Sequence, residues 1–310
     1  MILLCGIPSE APVALVMEAL QRKKLPHVVF NQREFDSTGF WFSLQDGRLT
    51  GAFTVGSAAV NLDEISGVYV RLMDHRALPE FQSLAPDDPA RARCQRLHDA
   101  LYRWLEVAPA RIVNRLGPMA SNSSKPYQAQ LIARHGFHVP ETVVTNDPDV
   151  VRNFLDRHDR VIYKSASGVR SIVQEFRAGD EANLDQIRWC PTQFQEFVPG
   201  VNIRVHVVGE EVFATRIETS ATDYRYAARQ GGETTLSAIE LQHPWPERCV
   251  SLAAALELPF AGIDLKLTPT GEVYCFEVNP SPGFSYYEHA TGQPISDAVA
   301  RYLAVTGGAT

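Results

Sequence analysis

No apolar run in this 310-residue chain reaches the eighteen or so residues that a membrane-spanning helix requires, so a membrane protein of helical type is not expected. Disulfide scaffolding is lacking too. The five cysteines (Cys5, Cys94, Cys190, Cys249, Cys275) are scattered, odd in number and without CxxC spacing, which suits reduced and mostly buried thiols. Met1-Ile-Leu-Leu-Cys-Gly-Ile-Pro8 has neither the basic flank nor the length of a signal peptide, and a cytoplasmic location is expected. There is no surplus of basic charge. Lys and Arg number 29 against 36 Asp and Glu, a formal charge of −7, which argues against non-specific nucleic-acid binding. Gly6 follows the first apolar strand, yet no GxGxxG follows it, and no GxxxxGK[ST] occurs anywhere. Dinucleotide and P-loop sites are therefore not expected. A phosphate site of another design needs only a few local cations, and the overall charge says nothing against it. No internal repeat or low-complexity tract is present.

What the chain has is enough apolar residue (45%) and little enough charge (21%) to bury cores, and a length that suits two or three subdomains. Residues 1 to about 115 predict an α/β layer. Its strands are Ile2–Cys5, His27–Asn31, Val68–Arg71 and Arg111–Asn114; its helices are Ser9–Lys24 and Pro89–Val107. Gly, Pro and Ser cluster in Leu116–Ser124 and mark a boundary. A small α+β lobe, 116–191, follows. It has a helix bearing Tyr127, Leu131 and Ile132 that stops at Gly136, a strand Glu141–Thr145, and a helix capped by Asn146 or Asp147. A hairpin of Val161–Lys164 with Ser171–Phe176 closes it, around the loop Ser165–Arg170. From 192 to 310 strands dominate: Gln193–Phe197, Asn202–Val208, Val212–Thr219 and a final acidic hairpin, with helices at Glu247–Leu256 and Ile295–Leu303. Ser220–Pro246 reads as irregular and polar.

The acidic hairpin carries the chemistry. Strand alternation sets Asp264, Gly262 and Lys266 opposite Ala261, Ile263, Leu265 and Leu267. In the next strand, Glu277 and Asn279 stand opposite Tyr274, Phe276 and Val278. Paired across Thr268–Gly271, the two strands bring Asp264, Glu277 and Asn279 to one surface, an oxygen-only ligand set suited to magnesium. Taken alone, such a hairpin could equally be an ordinary wet face. Lys164 ends an apolar strand before a small-residue loop, where a lysine can meet phosphates or simply be solvated. Lys125 opens a helix, where its charge opposes the dipole. Gln195-Glu-Phe-Val198 can offer backbone groups to a base edge above an apolar floor, or be a plain sheet edge. Arg204 and His206 turn away from Ile203, Val205 and Val207, and Arg216 shares a strand face with Val212, Ala214 and Glu218. An arginine in an apolar strand needs an anion, either a structural acid or a bound phosphate. Asp223-Tyr-Arg225 could line a cleft or form a surface loop.

In order along the chain, Ser124-Lys125, His138-Val-Pro-Glu-Thr142, Val161-Ile-Tyr-Lys164, Gln195-Glu-Phe-Val198, Asn202-Ile-Arg204-Val-His-Val-Val-Gly209, Gly262-Ile-Asp264 and Phe276-Glu-Val-Asn-Pro280 resemble the RimK-like branch of the ATP-grasp superfamily. The resemblance runs from about 112 to 305 and is looser over the first third. Glu141–Pro148, Asp223–Arg225 and Thr291-Gly-Gln-Pro-Ile295 are similar to the microviridin-type ligases that modify ribosomal peptides. Ser281-Pro-Gly-Phe284 is closer to amino-acid-adding ligases such as the ribosomal-protein glutamate ligase. Asn202 departs from the acid that many relatives carry there.

The resemblance implies an ATP-grasp fold, of α/β (α+β) class, behind an N-terminal α/β domain. ATP would be clamped between two lobes. Lys125, Lys164, Ser165 and Gly168 would contact phosphates. Gln195, Glu196, Phe197 and Val198 would hold adenine, with Asn202 near the ribose. Asp264, Glu277 and Asn279 would bind Mg2+ or Mn2+, and Arg204 and Arg216 would stabilise the transferring phosphate. The activity implied is carboxylate–amine or carboxylate–hydroxyl ligation through an acyl-phosphate, on a peptide or amino-acid substrate, by a homo-oligomer. The alternatives are a small-molecule kinase, since some inositol phosphate kinases share the nucleotide fold, and a non-catalytic ATP-binding module.

Overall fold

The structure, a computed structural model, describes residues 1–56, 58–165, 173–219 and 234–305, without the side chains of residues 58 and 165. The N-terminal layer contains β1 (Ile2–Gly6), α1 (Ala11–Arg22), β2 (His27–Asn31), β3 (Thr38–Gln45), β4 (Arg48–Val55), β5 (Ala58–Asn61), β6 (Gly67–Val70), α2 (Pro79–Gln82), α3 (Pro89–Val107) and β7 (Arg111–Val113). Its parallel sheet has the order β2-β1-β6-β7. The near-continuous burial of β1 and β6 is what a parallel sheet covered on both faces demands. Asp88 caps α3 by accepting from Ala90 N, with Pro89 at the first helical position.

The antiparallel sheet β3-β4-β5 was not expected. Its hairpin turns on Asp46-Gly47, both at positive φ, a dipeptide that favours this turn. Phe40 and Phe42 face inward toward Phe53 and Trp104, whereas Trp41 is 59% exposed. Three successive aromatics hide the alternation that identifies a strand.

The small lobe comprises α4 (Leu116–Met119), α5 (Lys125–Arg134), β8 (Thr142–Thr145), α6 (Pro148–Leu155), β9 (Val161–Ser165), β10 (Gln174–Glu175) and β11 (Thr192–Glu196). Its sheet order is β10-β9-β11-β8. Because β11 pairs with both β9 and β8, this sheet reaches Glu196 and does not stop at 191. Asp147, not Asn146, caps α6. Inside lie Val151, Phe154, Val161 and Phe194. The opposite face carries Lys164, Ile162 and Gln195, which are related by the β9–β11 register.

The larger sheet, β14-β13-β12-β15-β16, is antiparallel. It is made of β12 (Val201–Val208), β13 (Glu211–Thr219), β14 (Thr234–Ile239), β15 (Phe260–Leu267) and β16 (Val273–Asn279), with helices α7 (Trp245–Ala255), α8 (Ser285–Thr291) and α9 (Ile295–Ala304). β14 falls in a stretch expected to be irregular. One sheet face packs under α7 through Val205, Val207, Ala261 and Ile263. Its other face is covered at one end by Phe284, Tyr287 and α9, which share a core with Leu4, Val13 and Leu20 of the N-terminal layer. That contact fixes the first segment against the last.

Candidate active site

β15 and β16 pair with Asp264 directly opposite Glu277 and Gly262 opposite Asn279. The expected alternation fails within β16. Leu265 pairs with Cys275, so Phe276 is an extra residue, a β-bulge. Parity therefore flips: Val273, Cys275 and Val278 are all buried, and Phe276 lies with Tyr274 on the opposite face to Val278, not the same one. Without the bulge, burying both Cys275 and Val278 would be impossible. Leu267, expected on the apolar side, is 38% exposed at the sheet's end.

Four charged side chains meet on this face. Arg204 Nη1 donates to Asp264 Oδ1 at 2.7 Å, and Lys125 Nζ donates to Glu277 Oε2 at 2.8 Å. Arg204 is 5% exposed and His206 is fully buried, so the face they share is a second core and not a wet surface. His206 packs edge-on against Tyr287 with ring centroids 5.0 Å apart. Burial, and then the Arg204 charge, hold its pKa well below the usual value. Gly262 makes the arginine's path possible. A Cβ there would overlap Arg204 Nη2 and come within 2.7 Å of Pro282 Cβ.

Two buried amides, a histidine and a lysine that sequence reasoning did not single out as functional help set this geometry. Gln128 lies one turn after Lys125 on α5, on the same helix face. It donates to Val278 O at 2.8 Å and accepts from Val278 N at 3.2 Å, satisfying the open edge of β16 as another strand would. Gln128 is therefore buried with Ile132, while Tyr127 is half exposed. His138 covers the rest of that edge, donating to Val273 O and accepting from Cys275 N. Asn114 bridges the end of β7 to Phe260 N and O and to Pro280 O. Asn279 Oδ1 accepts from Ser281 N at 2.9 Å and fixes the following loop. Lys266 donates to Val198 O at 3.1 Å with its ammonium 5.5 Å from the ring centres of both Phe197 and Phe276. Burial first, and then Arg160, lower its pKa.

The other expected residues divide. Asn202 shares the face of Arg204 and stands opposite Lys266. Arg216 pairs with Ile203, while Arg204 pairs with Thr215, so the two arginines lie on opposite faces of the sheet. Arg216 is instead ion-paired with Glu218 at 2.8 Å, and both are largely exposed. The backbone N–H groups of Glu196 and Phe197, expected to serve a base, already donate to Glu141 O and Arg160 O. The Glu196 carboxylate accepts from Glu141 N, and the Arg160 guanidinium covers Phe197 at 3.5 Å. Val198 is buried beneath Lys266. Lys164 stands opposite Gln193, two residues from Gln195, and Ser165 ends β9. Gly168 and Asp223–Arg225 lie outside the described residues.

Among the described residues, no group of three or more His, Cys, Asp or Glu side chains is placed to hold a metal ion by itself. Two carboxylates and an amide oxygen on paired strands remain, all hard oxygen donors, and they suit a magnesium ion that fills its shell with water and phosphate oxygens. Among the described residues, no helix is long and apolar enough to cross a membrane.

Known proteins share this fold and much of this sequence. The chain is 28% identical over 216 residues to the ribosomal protein bS6–L-glutamate ligase of Escherichia coli, covering 66% of this chain and 71% of the relative. A RiPP-associated ATP-grasp ligase of Chryseobacterium gregarium, solved with ADP and a leader and core peptide, superposes with a TM-score of 0.82 at 22% identity, covering 99% of this chain and 97% of that one. The ATP-grasp ligase PsnB with its minimal precursor gives 0.76 at 26% identity, covering 99% of each chain. The model of the RimK-like ATP-grasp domain matches residues 122–303, and the chain belongs to that family.

Proposed function

We propose that this protein is an ATP-dependent ligase that joins a carboxylate to an amine or hydroxyl, with a peptide or an amino acid among its substrates. The observation that carries the reading is the face on which Asp264 and Glu277 stand side by side, each held by a cation from a different element. The substrates of the relatives point the same way: one joins glutamate to a ribosomal protein, and another is solved with its precursor.

In this reading a substrate carboxylate oxygen attacks the γ-phosphorus of ATP. The bond from that phosphorus to the β–γ bridging oxygen breaks, and ADP leaves. The amine nitrogen, or a hydroxyl oxygen, then attacks the acyl carbon. The carbon–oxygen bond to phosphate breaks, phosphate departs, and the nucleophile releases its proton to water. Lys125 and Lys164 offset phosphate charge, and Arg204, held in place over Gly262, faces the transferring group. Asp264, Glu277 and Asn279 would hold Mg2+, or Mn2+ in its place, which when bound would neutralise charge on the phosphate oxygens. The small lobe and the larger sheet lobe clamp the nucleotide, and the N-terminal layer supplies substrate contacts. The protein works in the cytoplasm as a homo-oligomer.

The test is to incubate the protein with MgATP and pools of amino acids and short peptides, measuring ADP and phosphate, with mass spectrometry of products. Equal release of ADP and phosphate with a product lighter than its two components by one water supports ligation. A stable phosphorylated product without free phosphate would identify a kinase instead.

A further inference from the structure

A cavity of about 400 Å3 opens where the N-terminal layer meets the loop after β16. Ile7 and Met73 form apolar walls, and Ser9, Glu10, Arg71 and Ser281 supply the polar ones. The loops after β1 and β6 contribute most of it, at the carboxyl ends of parallel strands, where open α/β sheets present ligand crevices. Ser281 gives it a position beside the acidic face, since Ser281 N donates to Asn279 Oδ1.

The charges in this cavity are matched. Arg71 Nη2 is ion-paired with Glu10, while Nη1 donates to Ser281 O, Ser281 Oγ and Pro282 O at 3.1, 2.9 and 3.2 Å. The Arg71 side chain is only 14% exposed, and that of Glu10 is 37% exposed. Glu10 precedes α1 at its N-cap position but makes no capping bond there, so its carboxylate is committed to the cavity and not to the helix. A ligand bearing one charge would leave the opposite partner uncompensated in a half-buried site, at a large desolvation cost. A zwitterion satisfies both. Its carboxylate can take the guanidinium and the serine hydroxyls while its ammonium takes Glu10. The size fits a small ligand with an apolar side chain portion against Ile7 and Met73.

We infer that this cavity is a subsite for a free α-amino acid, which enters by replacing the Arg71–Glu10 ion pair with contacts to its own carboxylate and ammonium. The inference rests on the ligase reading and makes a free amino acid the amine partner, so that the product is an amide. A peptide end does not meet the requirement, because a peptide N-terminus lacks the adjacent carboxylate and a C-terminus lacks the ammonium.

The test uses the full chain with MgADP, and saturation-transfer NMR with each of the twenty free L-amino acids as the probe. At least one should bind. Its N-acetyl and α-amide derivatives should each bind at least tenfold more weakly, as should the parent amino acid to Glu10→Gln and Arg71→Leu. Met73→Trp fills the cavity from the apolar wall, removes neither charge, and should abolish binding even if Arg71→Leu fails to fold. ADP affinity, measured in the same samples, separates the two readings. Normal ADP binding with no amino acid bound overturns the subsite alone. So do derivatives that bind like the parent, which mark recognition of one charge only, and so does unchanged binding in Glu10→Gln and Met73→Trp. Absence of ADP binding in the wild type overturns the nucleotide reading and this subsite with it.

Discussion

Gly262 leaves space for a neighbour's side chain: the strand passes beneath Arg204, and any Cβ would meet the guanidinium and Pro282. Gly262→Ala is therefore expected to displace Arg204 from Asp264 while leaving the apolar side of β15 intact. ADP formation should fall by about 10²-fold, the scale of losing one preorganised electrostatic contact, with little change in circular dichroism; unchanged turnover would show that the Arg204–Asp264 contact is dispensable. The two arginines differ in the same way. Arg204→Met should cost about 10²-fold in kcat. Arg216→Met, on the opposite face and paired with exposed Glu218, should stay within about threefold, as expected of a surface ion pair. Comparable losses in both would mean that Arg216 reaches the reacting phosphate.

At the scale of elements, α5 is set on β16 by one side chain. Gln128 makes both edge hydrogen bonds of Val278, so Gln128→Leu leaves a buried N–H and C=O without partners. A loss of about 2 kcal/mol of stability is expected, measured by urea denaturation. ADP formation should fall too, because Lys125 rides on the same helix; a variant as stable as the wild type would refute the edge-pairing role. Much of the element plan was legible. His27–Asn31 and Pro89–Val107 match their expected ends, the second because Asp88-Pro89 is a cap with its first turn. What was not legible has physical causes. The bulge at Phe276 leaves no trace in composition, since an extra residue in a strand is defined by its partner. The roles of Asn114 and Gln128 leave no local trace, because their partners are backbone groups some 150 positions away. The β3–β5 sheet was announced only by Asp46-Gly47. For the site, the pairing of Asp264 with Glu277 was legible from strand parity and motif order, whereas the face of Arg216 relative to Arg204 was not, because it depends on register with β12.

For the molecule as a whole, the four sheets of the described residues pack on cores that bury titratable groups, which gives stability a defined pH dependence. His206 and His98 both have pKa values lowered first by burial, so the unfolded chain takes up protons before the folded one does. Each contribution is fully present above about pH 6.5 and is lost as pH falls below it, at up to about 1.4 kcal/mol per pH unit per histidine. Urea midpoints should therefore drop between pH 6.5 and 5.5, and a flat profile would place both imidazoles in contact with water. The chemistry of the face shared by β15 and β16 is decided by Mg2+-dependent ADP formation in Asp264→Asn and Glu277→Gln beside the wild type. Turnover should fall by at least about 10²-fold in both with unchanged circular dichroism; full activity in both, with the same Mg2+ dependence, would leave this face without a metal role.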